Sequence, residues 1–94
     1  MNILEEAIKV TQERQVAYDK PEDNFNRICT RWNNYLSDKY PGIQLEPKDV
    51  AIMMIDMKLA RIQWKYSRDS TVDIAGYAHC LARIEGEYEG NDTD

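Results

Sequence analysis

The sequence predicts an all-α protein, a four-helix antiparallel bundle that a second copy of the chain is expected to complete. Three observations predict it. Apolar residues recur at helical spacing in four stretches of the 94 residues. Pro21, the Tyr40-Pro41-Gly42 stretch and Pro47 punctuate those stretches. A composition of 43% hydrophobic and 31% charged residues suits a globular chain with one modest core rather than a disordered or fibrous one.

The first helix is expected from Ile3 to Ala17, with Leu4, Ala7, Ile8 and Thr11 on one face, ending before Tyr18-Asp19-Lys20-Pro21. Pro21 opens the next helix, where its missing N–H costs nothing. That helix, Glu22 to Lys39, sets Phe25, Ile28, Cys29, Trp32, Tyr35 and Leu36 on one stripe. Residues 43–46 read as an extended linker or a short extra turn. Pro47 begins the third helix, which from Val50 to Trp64 is apolar nearly all round and is therefore expected to be the central, most buried one. Ser67 or Asp69 caps a fourth helix reaching Ile84. Gly76 falls inside it, and close approach of another helix is the expected compensation for glycine's low helix propensity. Residues 1–84 thus form a single helical domain, and 85–94 read as an acidic, disordered tail.

Composition also excludes functions. The last ten residues carry five acids and no base, which leaves twelve acids against twelve bases in the body. A neutral body with an acidic end lacks the basic surface that direct nucleic-acid binding needs. No apolar run approaches the roughly 20 residues that span a bilayer, and the start Met-Asn-Ile-Leu-Glu-Glu is unlike a signal peptide, so a cytoplasmic protein without a membrane partner is expected. Cys29 and Cys80 lack metal-site spacing and read as buried, reduced thiols. His79 stands as the single histidine, expected on a helix surface.

Acids within apolar helical text are the candidates for chemistry. Asp49, Met53, Asp56 and Ala60 share one stripe of the third helix; Asp69, Asp73, Tyr77 and Cys80 share one of the fourth. Antiparallel packing across the short connection would turn these stripes toward each other, gathering carboxylates in a polar cavity with Lys58 and Arg61 at its edge. Inward acids from two helices are a common way to hold a hard divalent cation such as Mg²⁺. Simpler roles stand beside this one: Asp49 and Asp69 suit helix starts, and Asp56 suits an ion pair.

The spacing Arg14-x-x-x-Tyr18-Asp-x-Pro21-x-x-Asn24-Phe25-x-x-Ile28-x-x-x-Trp32, followed by Asp49-Val-Ala-x-Met53, Lys58-x-Ala-Arg61 and Asp69-Ser-x-x-Asp73-Ile-Ala-Gly-Tyr77-Ala, resembles a family of small, uncharacterised phage and prophage proteins over nearly the whole chain to about Ala82. That family in turn resembles, more distantly, the all-α nucleotide pyrophosphatases of the MazG and dimeric dUTPase type. The resemblance implies a MazG-like bundle, dimeric, in which carboxylates on two adjacent helices hold Mg²⁺ and a nucleoside triphosphate is cleaved between its α and β phosphates. Asp73 is the position that matches a metal ligand of those enzymes.

Two functions follow as expectations. In the first, Asp49, Asp56 and Asp73 hold Mg²⁺, Arg14, Lys58 and Arg61 neutralise phosphate, and Asn24 or Tyr77 contacts sugar or base. In the second, the chain is a non-enzymatic phage protein that binds a host or phage protein partner, with its polar residues forming a structural network. Self-association is expected in either case, because a chain this short buries only about 60 to 65% of its unfolded surface.

Overall fold

A computed structural model describes residues 1–87. It contains four helices: α1 (Ile3–Tyr18), α2 (Pro21–Lys39), α3 (Pro47–Trp64) and α4 (Arg68–Ile84). The expected acidic tail falls largely on residues 88–94, outside the described residues.

Local chemistry accounts for the starts of these helices. The Asn2 side-chain oxygen accepts from the Glu5 N–H at 2.8 Å while the Glu5 carboxylate accepts from the Asn2 N–H at 2.9 Å, a reciprocal cap on α1. Proline occupies the first turn of both α2 and α3. The Ser67 hydroxyl accepts from the Ser70 N–H at 3.1 Å and caps α4.

Helix α4 is the hub of the packing, meeting all three other helices, most extensively α3. With only residues 65–67 between them, α3 and α4 form an antiparallel hairpin, as Lys58 meeting Asp73 requires. Contacts of Glu22 with Arg83 and of Phe25 with Tyr77 set α2 antiparallel to α4 as well. Helix α1 instead runs in the same direction as α4: Glu6 pairs with Arg68 near the start of both, and Gln15 accepts from Arg83 near the end of both. The linker before α3 is extended and pinned by Asn33, whose side-chain oxygen accepts from the Leu45 N–H at 2.8 Å and whose amide donates to the Leu45 carbonyl at 3.0 Å.

Phe25, Cys29, Val50, Ala51 and Cys80 form the core, with Ile28, Trp32, Met54 and Tyr77 packed against it. Both cysteines are buried free thiols. Two expectations of burial need correcting. On α1 the covered positions are Ala7 and Thr11, while Leu4 and Ile8 face outward, because α4 is the one helix that packs closely along α1. Helix α3 is not enclosed: Val50 and Ala51 are buried, but Ile52, Met53 and Leu59 remain about half exposed and Trp64 is 86% exposed. Helices α2 and α4 cover one side of α3 and leave the other uncovered.

Gly76 also has a role other than the one expected. A Cβ at this position would lie 3.5 Å from the Thr11 Oγ1, an ordinary van der Waals contact. Close approach of α1 therefore does not require glycine. Gly76→Ala is expected to raise stability by up to about 1 kcal/mol, since alanine is the better helix former and loses less chain entropy on folding. Thermal melting of the two proteins checks this, and a marked loss of stability would show the helices to be closer than the geometry allows.

Candidate functional site

The cleft is a consequence of the α1–α2 corner. Asp19 turns the chain there with φ of 74°, a conformation costly for a residue with a Cβ and one that concentrates at functional sites. The surroundings hold it in place. The Asp19 carboxylate accepts from the Lys20 N–H at 2.8 Å and pairs with Arg27 at 3.4 Å. These contacts, the backbone hydrogen bond foremost, hold its carboxyl below the usual range. Beyond the corner α1 and α2 diverge, each resting on α4 rather than on the other.

The space between them is a cleft of about 310 Å³. Val10, Thr11, Arg14 and Tyr18 form the α1 wall, and Pro21, Asn24, Phe25 and Ile28 form the α2 wall. Val72, Asp73, Gly76, Tyr77 and Cys80 of α4 make the floor, with Met54 reaching in from α3. Arg83, nearly buried, donates to Gln15 of α1 at 2.8 Å and pairs with Glu22 of α2 at 3.0 Å, which ties both walls to α4.

The lining is mostly apolar with a few directed polar groups, the usual character of a small-molecule site. The Phe25 and Tyr77 rings lie 6.3 Å apart at 57°, a favourable tilted pair in which Phe25 is largely core and Tyr77 is the more open ring. Burial pushes the Cys80 thiol up to about 11, so the sulfur facing the cleft is protonated at neutral pH and inert as a nucleophile. Asp73 places Oδ2 2.8 Å from the Lys58 ammonium and Oδ1 3.9 Å from the Arg14 guanidinium. The Asp73 and Lys58 side chains are 16% and 12% exposed, whereas Arg14 is 53% exposed at the cleft wall. Of the charged residues lining the cleft, Asp19 is balanced by Arg27 and Asp73 by Lys58, which leaves the charge of Arg14 in excess.

Of the residues singled out in the sequence, Arg14, Asn24, Asp73 and Tyr77 come together in this cleft. Lys58 stands behind it, joined through Asp73. Arg61 is exposed near the end of α3 and lines no part of it. Asp49 stabilises the start of α3, its Oδ2 accepting from the Glu46 N–H at 2.8 Å. Asp56 is exposed, contrary to the expectation of a buried, partnered carboxylate. Two residues along a helix is a rotation of about 200°, so with Met54 and Lys58 turned inward Asp56 between them must point out. The three aspartates therefore do not converge, and among the described residues no three of His, Cys, Asp and Glu are grouped to hold a metal ion. Phe25 and Cys80 read from sequence as core residues, and Asp19 as part of a turn; nothing in their spacing marks them as cleft residues.

Fold and cleft together define a small all-α protein with a mostly apolar cleft between helices. The chain belongs to the family described as "Domain of unknown function (DUF6378)", whose model matches residues 2–85. It is 41% identical over 99 residues to the "Gene 55 protein" of Mycobacterium phage D29, covering 98% of this chain and 62% of the relative. It is 38% identical over 87 residues to the "Gene 55 protein" of Mycobacterium phage L5, covering 90% of this chain and 53% of the relative. The chain thus spans little more than half the length of these phage relatives. No solved structure matches it. No helix among the described residues is long and apolar enough to cross a membrane.

Proposed function

We propose that this chain is a nucleotide-binding phage protein working in the host cytoplasm, with the α1–α2–α4 cleft as its site. The carrying observation is the placement of the Phe25 and Tyr77 rings and the Arg14 guanidinium around one cleft. In this reading a base packs on the Tyr77 ring, which Phe25 backs, Asn24 contacts base or sugar, and Arg14 binds phosphate through its fixed fork of donors. The resemblance to MazG-type enzymes supports a nucleotide ligand. Hydrolysis of a triphosphate with Mg²⁺ finds less support, because Asp49, Asp56 and Asp73 do not fit a shared ion. Calorimetric titration with nucleotides, with and without Mg²⁺, tests the reading. Arg14→Ala is expected to weaken binding by about tenfold or more, the scale of losing a charge-assisted hydrogen bond. Absence of binding by every nucleotide at millimolar concentration would refute it.

The uncovered side of α3 favours a second reading, a protein-binding role. Ile52, Met53 and Leu59 form a half-exposed apolar stripe around Asp56, and Trp64 extends it. A second copy of the chain, or a host or phage protein, would cover it. For a homodimer the contact should be isologous and bury at least about 1,200 Å² in total. Light scattering is expected to give twice the 11.0 kDa chain mass, and Leu59→Glu to reduce it to the monomer. A monomer at every concentration would leave a different protein as the partner for this face.

A further inference from the structure

We infer that Asp73 is the counter-ion that a bound phosphate displaces from Arg14, so that the cleft takes a nucleoside monophosphate as the metal-free anion. The inference rests on the nucleotide reading of the cleft and names the ligand class for it. Asp73 has two oxygens with different commitments. Oδ2 lies 2.8 Å from Lys58, and both side chains are largely withdrawn from water. A metal ion taking that oxygen would leave the Lys58 ammonium desolvated without its partner, a heavy cost. Oδ1 faces Arg14 at 3.9 Å, beyond hydrogen-bond length, and Arg14 is half exposed. That pair is the weak kind, readily exchanged for a better anion.

The charge at the site then fixes the size of the ligand's anionic group. Lys58 stays with Asp73 and Arg27 with Asp19, so among the described residues lining the cleft Arg14 supplies the one charge free to be exchanged. One guanidinium suits one phosphate, which it can bind with two parallel hydrogen bonds. A triphosphate would bring several further charges that nothing lining the cleft neutralises. The volume agrees: about 310 Å³ lies at the lower edge of small-molecule sites, with room for a single nucleoside.

The test titrates the common ribo- and deoxyribonucleoside monophosphates, and the matching triphosphates, into the full chain in EDTA and again in Mg²⁺. Wild type is expected to bind a monophosphate with the same affinity in both buffers. Asp73→Asn, which frees Arg14, is expected to bind it about two- to five-fold tighter, the range of an exposed ion pair. Weaker binding by Asp73→Asn, dependence on Mg²⁺, or a preference for the triphosphate would overturn the inference while the nucleotide reading stood. If no nucleotide binds under any condition, both fall. Should Asp73→Asn fail to fold, the double variant Lys58→Met/Asp73→Leu removes the buried pair at similar volume and leaves Arg14 free. It is expected to bind at least as tightly as wild type, and a loss of affinity there would equally overturn the inference.

Discussion

Replacing Lys58 with methionine is expected to cost about 3 kcal/mol of folding stability, measured as a lowered midpoint in urea with little change in slope. The cause is the carboxylate left behind rather than the salt bridge lost. Asp73 lies 2.8 Å from the ammonium and is largely shielded from water by α1, α3 and α4, so without Lys58 its carboxylate is left poorly solvated and without its close partner. Arg14 at 3.9 Å, itself half exposed, is a poor substitute. Asp73→Leu alone should cost a similar amount, by leaving the ammonium unpaired. The double variant Lys58→Met/Asp73→Leu should recover most of the loss, since well-packed apolar pairs often match buried ion pairs in stability. A loss below about 0.5 kcal/mol for either single change would show the pair to be solvated.

Phe25→Ala should cost about 3 to 5 kcal/mol, the range for deleting a buried ring. Phe25 is 5% exposed and touches the core from α2, where Cys29, Val50, Ala51 and Cys80 surround it. A domain of this length is worth roughly 5 to 14 kcal/mol in total, so the change removes a large part of the margin. The melting temperature is expected to fall by about 15 °C or more. Phe25→Leu keeps most of the volume and should be far milder. Comparing the two also separates fold from site, because the leucine variant retains the core but loses the ring that faces Tyr77 across 6.3 Å. A loss under about 1 kcal/mol for the alanine variant would contradict the core described above.

The four helices and their starts were legible in the chain. Pro21 and Pro47 open α2 and α3, Ser67 caps α4, and the expected boundaries lie close to those observed. These are local effects: a proline ring, a capping hydroxyl and a 3.6-residue period act within one turn, so a few neighbouring residues decide them. The free, buried state of the thiols followed from similar information. Part of the cleft was legible as well, since Arg14, Asn24, Asp73 and Tyr77 belong to the spacing that carries the family resemblance, and all four line it.

What tertiary structure decided is which face of each helix meets a neighbour. Periodicity places Asp49 and Asp56 on one stripe of α3, but it does not say whether that stripe turns toward α4. The hairpin turns Lys58 inward to Asp73 and Asp56 outward to water, so an expected cluster of carboxylates became a single ion pair. The direction of α1 along α4, and with it the gap that opens between α1 and α2, likewise depends on contacts far apart in sequence, such as Glu6 with Arg68 and Gln15 with Arg83. Helical spacing by itself determined which side chains travel together. Only the summed packing of all four helices chose which of those sets is buried, which is exposed and which borders the cleft, because a helix can be rotated about its axis without breaking a single one of its own backbone hydrogen bonds.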